Sequence, residues 1–268
     1  TFALKPHFPG MVLMLPAPGE PEQPAKYHSH TKFLRVFGQS QEWCHILGAN
    51  NAADVNRMIQ EGKLREFIRV NEALHDKSLS YIADEITSRG AKVVMIFGPS
   101  SSGKTTFANR LAVHLRVLGR QPRLISLDDF YLDRSILPLE KDGKPDLESI
   151  DALDVPLLTE CLEALLSGEK VEMPRFDFQI SARSPETHPL QMGPDDILLV
   201  EGIHGMNDRI TSEIPEQLMY GIYVSALSCI NLDDHNRIRT TDVRLLRRIV
   251  RDVEMRNTSP EKTIDMWP

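Results

Sequence analysis

The stretch "GPSSSGKTT", Gly98 to Thr106, follows the apolar run "AKVVMIF" and has the spacing G-x-x-x-x-G-K-[ST] at Gly98, Gly103, Lys104 and Thr105. Glycines at those places let backbone N–H groups turn inward around an anion, and a helix opening at Lys104 would add its partial positive charge. The whole Walker A stretch, including Pro99, Ser100, Ser101, Ser102 and Thr106, is therefore the expected ATP-binding loop. Lys104 would reach the β and γ phosphates as a catalytic group, and the Thr105 hydroxyl would ligate Mg²⁺. A turn that merely caps a helix needs neither a lysine nor the threonine after it.

Acidic residues decide what such a loop could do next. "SLDDFY" leaves Asp128 and Asp129 at the end of an apolar strand, where a carboxylate can take the proton of an attacking hydroxyl. "ILLVEG" sets Glu201 at the end of another, the form of an acid that orients Mg²⁺ through water. No [NT]-K-x-D guanine-reading motif occurs, which argues against a GTPase. The segment "DVRLLRRIVRD" carries Arg244, Arg247, Arg248 and Arg251 at helical spacings of three and four, which sets them along one side of a helix. Asp242 and Asp252 offer these arginines a plainer role as partners on a solvated face.

These groups need a scaffold that brings strand ends together. After residue 90 the pattern alternates strand and helix: "KVVMIF", a helix from Lys104 to about Gly119, "RLISL", a helix in "DALDVPLLTECLEALLSGE", "DDILLVEG", "YGIYVS" and a long basic helix. That alternation predicts an α/β fold with a mainly parallel sheet and flanking helices, with strand ends shared on one side. Two helices precede it, "NAADVNRMIQEG" and the stretch from Phe67 to Gly90, the second with Ile68, Leu74, Leu79, Ile82 and Ile86 at mostly helical spacings. Residues 1 to about 50 mix short apolar runs, "MVLML", "KFLRVF" and "CHILG", with a Pro-rich segment, and read as a small β-rich part of an α+β N-terminal module. The expected domains are residues 1–90 and 91–268.

In this order, "GPSSSGKTT", "SLDDFY", "PRFDF…R", "VEGIHG" and "DVRLLRRIVRD" resemble the uridine kinase/phosphoribulokinase family, in particular uridine kinase-like nucleoside kinases with a threonyl-tRNA-synthetase-like N-terminal region. The resemblance implies a P-loop NTPase-type domain that transfers the γ-phosphoryl of ATP, with Mg²⁺, to a hydroxyl of a nucleoside. It implies Asp128 as the catalytic base, Glu148 where the family holds ribose with an aspartate, and Arg244, Arg247, Arg248 and Arg251 as a lid over the phosphates. The family's base-binding segment P-x-Y-D-F-x-x-H-x-R corresponds to Pro174, Phe176, Asp177, Phe178, Ser181 and Arg183, so a tyrosine has become Phe176 and a histidine Ser181. Loss of two hydrogen-bonding groups implies weaker or different base selection. "PHFPG", "FLRVFGQSQEW" and "EALHDK" carry the N-terminal likeness.

Bulk properties narrow the partners. A formal charge of −7, with few clustered arginines before residue 90, disfavours nucleic acid and anionic membranes. The apolar runs fall well short of the roughly 20 residues of a membrane span. Three cysteines without C-x-x-C spacing suit a reducing, cytoplasmic setting. His28, His30, Cys44 and His45 fit no zinc-finger spacing and read as polar surface. The chain starts at Thr1 and stops at "DMWP", which reads as an excerpt lacking a C-terminal part, and a homo-oligomer is compatible with it. Two rivals keep the loop and change the outcome: a kinase for a phosphosugar or pantothenate-like alcohol, and a regulatory ATP-binding protein without efficient transfer.

Overall fold

A computed structural model describes residues 1–7, 10–29, 31–133, 136–137, 146, 148–177, 180, 182–226, 230–233 and 235–267. It divides into two compact units, Thr1–Asn50 and Asn51–Pro268. In the first, strands β1 (Ala3–His7) and β2 (Gly10–Met14) pair antiparallel with Leu4 opposite Leu13. The expectation of further strands gives way to helix α1 (Thr31–Ile46). Leu34, Phe37, Trp43, Cys44 and Leu47 are half-buried while the residues between them are mostly exposed. That spacing of three to four is the period of a helix, and it outweighs the strand preference of Val36 and Phe37.

The second unit opens with α2 (Ala52–Gln60), capped by Asn51. Asn51 Oδ1 accepts from the Asp54 N–H at 3.1 Å while Asp54 accepts from the Asn51 N–H at 3.3 Å, so two donors that no helical carbonyl reaches are satisfied together. Helix α3 (Leu64–Ser88) buries only its second half, through Leu79, Ala83 and Ile86, and Ile68, expected on the apolar face, is 46% exposed. Burial of Leu79 and Ile86, at about 1.5–3 kcal/mol each, ties this helix to the sheet unit. By its contacts the chain accordingly divides after Asn50, with α3 in the larger unit.

Along the chain follow β3 (Val93–Phe97), α4 (Lys104–Val117), β4 (Gln121–Ser126), a 3₁₀ turn at Leu127–Phe130 and α5 (Val155–Leu166). The ribbons β5 (Lys170–Met173), β6 (Phe176–Asp177), β7 (Ala182–Arg183) and β8 (His188–Gln191) come next, with β5 pairing β8 and β6 pairing β7. Strand β9 (Asp196–Gly202), α6 (Asp208–Thr211), β10 (Met219–Tyr223), α7 (Thr240–Arg256) and α8 (Pro260–Asp265) complete the unit. The central sheet has the order β10-β3-β9-β4 and is parallel throughout.

Alternation along β3 and β9 sorts the core into two layers. Val93, Met95, Leu198 and Val200 face α5, where Leu158, Leu162 and Leu165 pack against them. Val94, Ile96, Ile197 and Leu199 face α3 and α4 through Leu79, Ile86, Leu111 and Leu115. A strand buried on both faces must be apolar at every position, which is why "VVMIF" and "ILLV" show no polar alternation. Among the described residues, no helix is long and apolar enough to cross a membrane.

Candidate active site

Parallel register gathers the strand ends. Glu201 on β9 lies level with Ile96 on β3 and Ser126 on β4, so the loop after β3, the turn after β4 and Glu201 open on one edge of the sheet. The loop is shaped by its glycines. Gly98 has φ +150°, and a Cβ there would stand 2.1 Å from the Val224 carbonyl oxygen, so only glycine fits. Gly103, at φ +102°, is the N-cap of α4. Lys104 folds back over the loop, its Nζ donating to the Pro99 carbonyl at 3.3 Å. The Ser101 and Ser102 hydroxyl oxygens are buried and have no hydrogen-bond partner among the described residues. Buried hydroxyls, a helix N-terminus and a lysine together form a receptor for phosphate oxygens.

Thr105 Oγ1 donates to Glu201 Oε1 at 2.8 Å, which joins two side-chain oxygens at the mouth of the loop. Burial raises the Glu201 pKa, and Asp128 adds to the rise, against the lowering by the Thr105 hydrogen bond and Lys104. Burial likewise lowers Lys104, whose charge Glu201 and Asp128 support. These mutual effects put Lys104, Glu201 and Asp128 in one electrostatic neighbourhood. Asp129 points elsewhere, accepting the Phe176 N–H at 3.2 Å and anchoring β6.

The four arginines of α7 divide into two pairs. Arg244 Nε donates to the Ser100 carbonyl at 2.8 Å and Arg247 Nε to the Ser101 carbonyl at 3.1 Å, which lays both guanidinium groups against the phosphate loop. Arg248 and Arg251 turn to Asp252, at 3.5 and 2.8 Å, and that carboxylate is 2% exposed. The Trp267 ring lies 5.2 Å from the Arg244 guanidinium carbon and 5.8 Å from that of Arg248, within cation–π reach of both pairs.

On the acceptor side the expected residues spread out. Phe176 packs its ring against Tyr131 at 5.9 Å between centroids. Arg183 Nη2 binds Asp154 Oδ2 at 3.0 Å, and its N–H donates to Asp133 at 2.8 Å, so its described contacts join β7 to the start of α5. Glu148 is exposed, its N–H held by Asp146 Oδ1 at 3.0 Å. Phe178 and Ser181 lie outside the described residues, as do His30 and Cys229. A cavity of about 280 Å³ opens beside Asp129, lined by Arg175, Glu186, Thr187 and His188.

His204 was not singled out from the sequence. It sits in the turn after β9, close enough to Glu148, Asp128 and Asp146 for their charges to act on it, while burial lowers its pKa overall. Its position three residues past the strand-end acid is the one local signal that could have found it.

A glycine-shaped loop between a buried strand and a helix, with a lysine, a Thr–Glu oxygen pair, a second strand-end aspartate and two arginines, defines a phosphate-loop phosphotransferase. The chain belongs to the phosphoribulokinase/uridine kinase family, whose model matches residues 93–268. It is 31% identical over 173 residues to a uridine kinase of Halobacterium salinarum, covering 64% of this chain and 67% of the relative. A uridine kinase of Lactobacillus helveticus is 32% identical over 65% of this chain and 74% of its own length. In fold it is similar to D-glycerate 3-kinase from Cryptococcus neoformans, with a TM-score of 0.50 at 19% identity over 70% of this chain and 84% of that one. The family match leaves residues 1–92 outside it.

Proposed function

We propose that this kinase transfers the γ-phosphoryl of ATP to a hydroxyl of a nucleoside, in a cytoplasmic setting. The observation that carries the reading is the convergence of Lys104, the Thr105–Glu201 pair and Asp128 at one sheet edge. The loop N–H groups, Lys104, Arg244 and Arg247 hold the phosphates and balance charge as the bond to the leaving oxygen lengthens. Asp128 accepts the proton of the attacking hydroxyl.

Thr105 and Glu201 are the residues that would hold Mg²⁺, and their oxygen-only donor set fits a hard cation that takes its remaining ligands from phosphates and water. When bound, that ion supplies charge neutralisation between the β and γ phosphates.

The test is ADP release with Mg²⁺ against nucleosides, phosphosugars and pantothenate, alongside Asp128→Ala. Stimulation by a nucleoside, reduced in the variant by roughly 10²–10⁴-fold, is the expected result. ATP binding with no acceptor-dependent turnover would sink the reading.

A further inference from the structure

Where α8 returns against α7, a row of side chains bears on how Arg244 is held. Arg244, Arg248 and Asp252 follow one another at intervals of four along α7, so they lie in line on its surface. Asp252 is the buried end of the row. Its Oδ1 accepts from Arg251 Nε and Nη2 at 3.0 and 2.8 Å. Its Oδ2 stands 3.5 Å from Arg248 Nε and accepts from Thr263 Oγ1 at 3.4 Å. Thr263 belongs to α8 and is fully buried, so this contact docks α8 on α7. The turn between the helices is fixed as well. The Asp252 carbonyl accepts the N–H groups of Asn257 and Thr258, and Ser259 caps α8 by accepting the Lys262 N–H at 3.3 Å.

Docked in this way, α8 brings Trp267 to the other end of the row. The Trp267 N–H donates to the Ile264 carbonyl at 3.0 Å, and the indole lies 5.2 Å from the Arg244 guanidinium carbon and 5.8 Å from that of Arg248. Two guanidinium groups one helical turn apart repel each other, and a ring with a negative face stabilises both. Arg244 has a second tether in the Ser100 carbonyl, which its Nε reaches at 2.8 Å. Ring and carbonyl together restrict a long side chain that would otherwise be ordered only when a ligand arrives, and they leave Nη1 and Nη2 for phosphate oxygens. Arg247 differs. Its Nε reaches the Ser101 carbonyl at 3.1 Å, but among the described residues no aromatic ring lies over it.

We propose that Trp267 is a positioning residue for phosphate binding: α8, anchored by Asp252, lays the indole on Arg244 and so holds that guanidinium at the phosphate loop. This rests on the reading above, in which Arg244 holds the phosphates. In this arrangement Arg248 and Arg251 serve the anchor, and Arg244 and Arg247 serve the nucleotide. Without the ring, the cost of ordering Arg244 moves into the binding step and weakens it.

The test is a double-mutant cycle of Trp267→Leu with Arg244→Ala in the full chain. It is read in Kd for ATP with Mg²⁺ by calorimetry and in kcat/KM for acceptor-dependent ADP release, with Tm as the control of folding. Trp267→Leu should weaken ATP binding by about threefold to thirtyfold, the range of a partly desolvated cation–π contact. In the Arg244→Ala background the same change should have almost no effect, whereas beside Arg247→Ala it should keep its full factor. Trp267→Phe, which restores a ring, should recover part of the loss. Unchanged ATP affinity in a folded Trp267→Leu protein overturns the assignment. So does a loss that persists in full without Arg244, the mark of a tryptophan that merely supports α7. Should Trp267→Leu fail to fold, the cycle is run with Trp267→Phe, where a smaller coupling of the same sign is expected and its absence is equally decisive. Failure of the nucleoside reading looks different: the wild type would show no acceptor-dependent turnover, while the cycle in ATP affinity would keep its coupling.

Discussion

At the phosphate loop the groups that face a ligand are mostly backbone amides, clamped between β3 and α4 where residues on both sides are buried. From Asp129 to Arg183 the chain instead runs through two-residue ribbons held by single long-range bonds such as Asp129 to the Phe176 N–H. A backbone cradle cannot change its ligand without changing the fold. Side chains on short ribbons can be exchanged one at a time, so the first half fixes the donor chemistry and the second is where acceptor choice can drift.

The largest effect should come from breaking the rigid half. Lys104→Met removes the ammonium folded over the loop, and kcat/KM should fall by on the order of 10²–10³. If the two halves act separately, the factor is the same for every acceptor in an initial-rate comparison. A factor that varied with the acceptor would show that Lys104 also senses the second half.

A smaller effect sharpens the contrast on the other side. Arg183 holds Asp154, and Asp154 Oδ1 caps α5 by accepting the Leu157 N–H at 3.2 Å. The pair is partly exposed, so its loss in Arg183→Ala should cost about 1 kcal/mol, or roughly 2–4 °C in Tm. KM for the acceptor should stay nearly unchanged. A large rise in that KM at constant Tm would instead put the guanidinium on the substrate.

This contrast also governs what could be read from the sequence. "GPSSSGKTT" and the apolar strands leading to Asp128 and Glu201 are local patterns, and parallel register alone brings their ends together. Arg183 to Asp154 and Tyr220 to Glu85 join residues distant in sequence, and no spacing announces either bond. Four arginines at even helical spacings look alike in the sequence, and what divides them is Asp252, through contacts that include Thr263 of α8. Residues 31–46 were misread because their apolar positions are only half-buried and come in short runs, a weak signal for either period.

The smallest effect lies behind the site, where Tyr220 on β10 donates to Glu85 of α3 at 2.8 Å. Burial, reinforced by Glu85, pushes the phenol pKa up to about 12. An unfolded tyrosine ionises near its ordinary value of about 10. The native state thus keeps a proton that the unfolded state releases as pH rises between these values, and stability present below pH ~10 is lost by pH ~12. Tyr220→Phe should be slightly less stable at pH 7, by no more than a few degrees in Tm, and the gap should close in melts near pH 11. Its kinase activity at pH 7 should match the wild type. A marked loss of activity would mean that α3 helps to hold the phosphate loop, and the rigid half would then extend back to residue 85.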